Sequence, residues 1–281
     1  MKLGYSTWGM PKLSIDQAVE RIASLGYDGL EISVLPAWST AIDTLDAAER
    51  KRILKLVNDK GLTISAISGH ASLLEKEPAA NEANMRRLKA AIDLAVEWAQ
   101  NGRIPYVNTL SGGRTADWES QHELFAERLL PAAEYAQSRG VILAMEPHVD
   151  GLVDTPDRMV TILKMVDSPA LKVNFDISHF DILGMSIEES VSTLVPHSVH
   201  THVKDQRGRY PNYEFLTPGE GDFDYVAYLH AMRDHGYDGF INAEVSIMRQ
   251  RKPDYDPLAA CELSYRTLVK AFETAGIDRG K

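Results

Sequence analysis

Val141-Ile142-Leu143-Ala144-Met145-Glu146, the helical stretch Pro156–Val166, and Leu171-Lys172-Val173-Asn174-Phe175-Asp176 together decide how this chain folds. The two apolar runs are short and continuous, as strands buried on both faces are, and an amphipathic helix separates them. Strand, helix, strand in that order is a parallel pair with a crossover. Both runs end on a carboxylate.

The same unit extends in both directions. Strands are read at Leu3–Trp8, Gly29–Val34, Leu62–Ser68, Tyr106–Leu110, Val199–Val203 and Gly239–Val245, each followed by a helical stretch. Ser14 is placed to cap the first helix, and Gly26, Gly61, Gly140 and Gly236 stand where helices stop. Eight strands and eight helices in 281 residues are expected to form an α/β fold, a single (β/α)8 TIM barrel with a parallel eight-stranded core. No linker or low-complexity tract interrupts it, so residues 1–281 are read as one domain. An open doubly wound sheet is the competing layout, but it would normally carry a Gly-rich phosphate loop, and neither such motif is present.

Composition narrows the function. The formal net charge of −10 disfavours nucleic acid and anionic lipid as partners. No apolar run approaches the length of a membrane span, and the N-terminus lacks the pattern of a secretory signal. A lone cysteine, Cys261, permits neither an internal disulfide nor a thiolate metal cluster, and a cytoplasmic location is expected.

In a parallel barrel the chemistry collects at the C-terminal ends of the strands. Strands five to eight each place one metal-competent group there: Glu146, Asp176, His202 and Glu244. Three carboxylates converging without a cation would repel one another and lose hydration. A divalent ion resolves that conflict. The set is mostly hard, which suits Mn²⁺ first, with Mg²⁺, Co²⁺ or Zn²⁺ also admitted.

With these residues in place the chain resembles the xylose-isomerase-like superfamily of sugar isomerases and epimerases over essentially its whole length, from Gly4-Tyr5-Ser6-Thr7-Trp8 to the last helix. Glu146, Asp176, His202 and Glu244 match the metal-binding positions of ketose 3-epimerases, and the resemblance implies that Glu146 and Glu244 also move the proton. It further implies that His179 and Arg207 contact substrate hydroxyls, and that Pro218-Gly219-Glu220-Gly221-Asp222 is the Gly-rich turn before the next helix. One departure is Pro147-His148 after Glu146, where those epimerases have no histidine. His148 faces the same side as Glu146 in extended backbone and is read as an additional acid or base.

The implied chemistry is proton abstraction beside a carbonyl of a sugar or sugar derivative, through an enediolate. Return of the proton gives epimerisation or isomerisation. Loss of a β-substituent gives a lyase, either a dehydratase or a C-glycoside-cleaving enzyme, with His148 as the extra group. A more distant alternative is a metal-dependent endonuclease, with extra ligands at His70, Asn108 and His179; the acidic charge speaks against it. Trp8, His70, Asn108 and Lys204 are assigned to the substrate side. For Trp8, with Trp38, core packing competes, and for Lys204 a pairing with Asp205 does. Glu31 reads as a buried hydrogen-bonded group rather than a ligand, and Arg249-Gln250-Arg251-Lys252 as a solvated loop, or else as a contact for an anionic group or a partner chain. Gly208–Phe223 is expected to be a long loop covering the site, with Arg207 at its root and Tyr210, Tyr213 and Phe215 as apolar cover. A homo-oligomer is expected, with a second subunit type left open.

Overall fold

Ser14 sets the start of the first helix from both directions. The Gln17 amide donates to its hydroxyl at 3.2 Å, and the Ser14 amide donates to the Gln17 side chain at 3.0 Å. Helix α1 (Ile15–Leu25) then ends at Gly26, whose φ of 91° suits a residue without a Cβ. The computed structural model describes residues 1–113 and 118–280. Side-chain caps recur at Asp46 before α2 (Ala47–Asp59) and, past α3 (Pro78–Glu97) and α4 (Trp118–Ser138), at Thr155 before α5 (Pro156–Val166). After the single turn α6 (Ser178–Asp181), Ser186 opens α7 (Ile187–Leu194) and Asp224 opens α8 (Tyr225–Asp234). The single turn α9 (Ile247–Gln250) leads to α10 (Pro257–Ala275), capped by Asp256. Each cap satisfies an N–H that the helix cannot, worth about 1 kcal/mol.

The strands are β1 (Lys2–Ser6), β2 (Gly29–Ser33), β3 (Thr63–Ser68), β4 (Tyr106–Leu110), β5 (Leu143–Glu146), β6 (Leu171–Asp176) and β7 (Ser198–Val203), then β8 (Asp205–Arg209), β9 (Asn212–Leu216) and β10 (Phe240–Ala243). Strands β1 to β7 with β10 close a parallel barrel in the order β1-β10-β7-β6-β5-β4-β3-β2. Nearly all their residues are buried, because side chains alternate between the barrel interior and the helix layer. Two register shifts interrupt the ladders, at Leu30/Glu31 between β2 and β3 and at Val173/Asn174 between β6 and β7. The interior is tight near its base: a methyl group on Gly4 would run into the Asn242 amide. There Arg279 folds the chain end back with a bidentate pair to Asp28, at 2.8 and 3.0 Å.

The structure departs from the sequence reading after β7. Residues 208–223 are not one long loop, because β8 and β9 form an antiparallel hairpin pairing Asp205 with Leu216 and Arg207 with Glu214. Strand β1 also stops at Ser6, and Thr7–Gly9 turns as a short 3₁₀ helix capped by the Ser6 hydroxyl. Among the described residues no helix is long and apolar enough to cross a membrane.

Candidate metal centre

Parallel strands all end at the same rim, so the last residues of β5 and β6, a residue near the end of β7 and the residue after β10 meet there. Glu146, Asp176, His202 and Glu244 are all buried, and their candidate ligand atoms lie within 4.8 Å of one another. Asp176 stands in register with His202 across the β6–β7 ladder. The Nδ1 atom of His202 is 3.4 Å from a Glu146 oxygen and 3.5 Å from a Glu244 oxygen. Asn174 steadies this edge, its Nδ2 lying 3.2 Å from both Glu146 Oε2 and His202 Nδ1.

Lys204 completes the cluster. Its ammonium contacts Asp176, lies 2.6 Å from Glu244 and 4.0 Å from Glu146, and is itself buried. The three carboxylates thus already surround a positive charge, which is what their convergence requires. That demand, together with a hard donor set of three carboxylates and one imidazole nitrogen, fits a divalent ion held by Glu146, Asp176, His202 and Glu244.

The electrostatics follow the same pattern. Burial opposes ionisation of Glu146, but His202, His179 and Lys204 outweigh it and hold its carboxyl well below the usual range. Burial likewise opposes the charge on Asp176, and Lys204 and His179 hold it below its ordinary value. Burial works against the charge on His202 too, yet Glu31, Glu244 and Glu146 keep its imidazole well above the ordinary value. Lys204 is raised for the same reason, its burial outweighed by Asp176, Glu244 and Glu146.

Most of the other expected residues surround this cluster. His179 Nε2 is 3.4 Å from Glu146 and from Asp176, and the edge of its ring meets Phe215 at 5.0 Å. His148 lies with its ring centroid 3.9 Å from that of His179; burial, then His179, push it down to about 3. His70 reaches to 4.0 Å from Glu146 and packs edge-on against Trp8, which stacks on Trp38 at 4.7 Å.

Two of the expected substrate residues land elsewhere. Asn108 is fully buried beneath the rim and donates to Glu31. Arg207 projects from the hairpin into solvent, and its guanidinium donates to the Glu220 carbonyl at 3.0 Å. Lys204 does not pair with Asp205, whose carboxylate instead accepts the amides of Gly219 and Phe223 at 2.9 and 3.2 Å and so folds the Gly-rich turn. Arg249 is not a freely solvated residue either: it pairs with Glu220 and Asp254. A cavity of about 550 Å³ at the opposite barrel end, lined by Lys2, Arg103, Tyr106 and Phe240 among others, contains none of the cluster residues.

Glu31 is buried and hydrogen-bonded, as expected, and its partners come from β1, β4 and β7. It accepts from Ser6 at 2.6 Å and meets His200 Nε2 and His202 Nε2 at 3.0 and 2.8 Å. The available signal was the spacing of His200 and His202, which puts both on one face of β7.

Residues 19–263 match the family model described as xylose isomerase-like TIM barrel. Fructoselysine 3-epimerase of Shigella flexneri is 26% identical over 272 residues, covering 90% of this chain and 93% of that protein. The 3-dehydroshikimate dehydratase of Bacillus anthracis is 25% identical over 195 residues, covering 69% and 67%. The solved structure of the IOLI protein with a bound zinc atom aligns with a TM-score of 0.80 at 17% identity, covering 98% of this chain and 99% of that one, a likeness of fold.

Proposed function

The chain belongs to the xylose isomerase-like TIM barrel family, and on that premise we propose that it is a divalent-metal-dependent epimerase or isomerase of a keto sugar. The observation that carries this reading is the placement of Glu146 and Glu244. They stand on β5 and just after β10, on either flank of β6 and β7, with His202 Nδ1 3.4 and 3.5 Å from their carboxylates. A carbon held between two such groups loses its proton to one and regains it from the other, which inverts its configuration.

A divalent ion held by Glu146, Asp176, His202 and Glu244 would supply Lewis acidity to the substrate carbonyl and so acidify the neighbouring C–H. Glu146 and Glu244 then act as base and acid on the two faces of the substrate carbon. The Lys204 ammonium supplies positive charge beside the oxygen that becomes negative as the proton leaves. Nδ1 of His179 and Nδ1 of His70 make no hydrogen bond to the described residues, which leaves them for substrate hydroxyls, while His179 Nε2 faces Glu146 and Asp176. Asn108, beneath the rim, and Arg207, on the hairpin, would serve the substrate only at second hand. Manganese suits the donor set, and a keto sugar or a sugar conjugate agrees with the epimerase relative.

The test is to load the protein with Mn²⁺ and present free ketohexoses, ketopentoses and 1-amino-1-deoxyketose conjugates, following epimers by chromatography. Interconversion of at least one pair, abolished in Glu244→Gln, is expected. A metal-loaded protein that interconverts none of them while eliminating water from a 3-keto acid overturns the reading in favour of the second.

That second reading is a lyase, a dehydratase or a C-glycoside-cleaving enzyme. It is favoured by one observation, the position of His148 against His179, from which a neutral imidazole could relay the abstracted proton to a departing group. The dehydratase relative is in keeping with it.

A further inference from the structure

We propose that Glu31 is a positioning residue of the metal centre, which together with His200 orients His202 so that Nδ1, and no other atom of that ring, is offered to the ion. The inference rests on the metal reading of the cluster and adds to it a residue that supplies none of the four ligand atoms.

Glu31 sits inside the barrel on β2, fully buried, where the register with β3 shifts between Leu30 and Glu31. Shifts of this kind re-aim a side chain, and this one accompanies a carboxylate that crosses the interior to β7. Four donors converge on it. Ser6 donates to Oε1, while Asn108, His200 and His202 approach Oε2.

A carboxylate offers only lone pairs, so the imidazole nitrogens facing it carry their protons. His202 Nε2 is therefore committed as a donor, and Nδ1 is the nitrogen that can be given up to a cation. Nδ1 is also the atom that faces Glu146 and Glu244. A carboxylate behind a ligating imidazole fixes its tautomer and makes it a stronger donor.

The same three groups, Glu31, His200 and His202, lie close enough to hold an ion of their own. Their hydrogen bonds argue against that use. An ion there would require both Nε2 atoms to lose their protons and would displace the Asn108 and His200 donors from Oε2. The arrangement serves the rim cluster instead.

Two variants separate positioning from packing. Glu31→Gln keeps the volume and one acceptor but removes the charge; Glu31→Met keeps the volume and removes the acceptor. Mn²⁺ dissociation constants from electron paramagnetic resonance should rise in the order wild type, Gln, Met, by about 10–100-fold for Met. Long-range ¹H–¹⁵N spectra of the zinc-loaded protein should show His202 with a proton on Nε2 and the metal on Nδ1. This pattern should survive in the Gln variant and be lost in the Met variant. A folded Met variant with the wild-type constant and the wild-type spectrum overturns the inference. So does a wild-type spectrum with the proton on Nδ1, which decides the matter even if the Met variant does not fold. A wild-type protein that binds no divalent ion overturns the metal reading instead, and the metal-free spectrum then still reports whether Nε2 donates to Glu31.

Discussion

The ammonium of Lys204 lies 2.6 Å from the carboxylate of Glu244, and neither side chain is more than 7% exposed. A pair this deeply buried survives because each charge needs the other. Replacing Lys204 by Met leaves Glu146, Asp176 and Glu244 without their internal counter-charge. In the presence of a chelator, Lys204→Met is expected to lose about 3–5 kcal/mol of stability in denaturant titrations. Added Mn²⁺ should return most of it, because the ion neutralises the same carboxylates. Equal stability of variant and wild type in chelator would show that the ammonium is not the group balancing them.

Metal content gives a second expectation. Elemental analysis of purified protein should find about one divalent ion per chain, as expected for one closed carboxylate–imidazole donor set. Glu244→Gln should lose most of it, and removal of the ion from the wild type should lower its melting temperature through linkage. Full retention of the ion after both Glu244→Gln and Asp176→Asn rules out the four-residue assignment.

The barrel and its rim cluster were open to sequence reasoning for a definite reason. Strand ends in a parallel barrel share one height, so a single acid or histidine at each of four consecutive ends is enough to converge. Glu31, His200 and Asn108 form a layer beneath, assembled by contacts from β2 across to β7 and β4; the spacing of His200 and His202 shows their shared face but not that Glu31 meets it across the interior. Arg207 misled for a different reason. Its position five residues past His202 reaches the rim only if the chain stays extended toward it. In the hairpin Arg207 pairs with Glu214 and points to solvent, while Asp205 and Gln206 turn inward. The hairpin itself was hidden because Asp205–Arg209 carries no apolar side chain, so the short alternation of Tyr213 and Phe215 in Asn212–Leu216 had no apolar partner strand in the sequence to pair with.

The hairpin carries Phe215 to the wall of the site. Its ring meets His179, lies 5.8 Å from the Lys204 ammonium, and packs with Val149 and Ile182. Tyr213 fastens the outer part through a hydrogen bond to Asp150 at 3.1 Å, and Lys252 pairs with Glu214 at 2.8 Å. Excising Tyr210–Glu214 should lower kcat/KM by about tenfold or more, an effect of about 1.4 kcal/mol on the transition state, while circular dichroism and metal content stay unchanged. Unaltered kinetics in a folded deletion would mean that the hairpin is decoration.

At the other end of the barrel, Asp28 joins Arg279 to β1 by accepting the Leu3 amide at 2.8 Å in addition to its bidentate pair. Arg279→Ala strands a nearly buried carboxylate and should cost about 1–3 kcal/mol in denaturant titrations. Because it lies at the base, Mn²⁺ affinity should not change. A large change in affinity would indicate that the base and the rim are coupled.

Isomerase and lyase differ in what His148 is asked to do. A proton exchange run by Glu146 and Glu244 is complete without a third group, and His148 then only shapes the pocket beside His179. An elimination needs a proton for the departing group, and His148 stands two residues from Glu146 with its Nδ1 turned to the Val149 carbonyl at 2.5 Å. A carbonyl only accepts, so Nδ1 carries the ring proton and Nε2 faces a substrate with its lone pair; in an elimination Nε2 would first receive the proton taken from carbon and then pass it to the departing group. The discriminating measurement is incubation of keto sugars with metal-loaded protein in D₂O, with products followed by NMR and mass spectrometry. Deuterium at the carbon next to the carbonyl of an isomeric product, with no loss of mass beyond exchange, is the expected outcome and assigns the isomerase. His148→Asn should then keep most of its turnover. Release of water or an aglycone assigns the lyase, and in that case His148→Asn should abolish product while exchange at the carbon partly persists, since Glu146 and Glu244 still remove the proton. Absence of exchange from every sugar offered would remove carbonyl activation, and both readings with it.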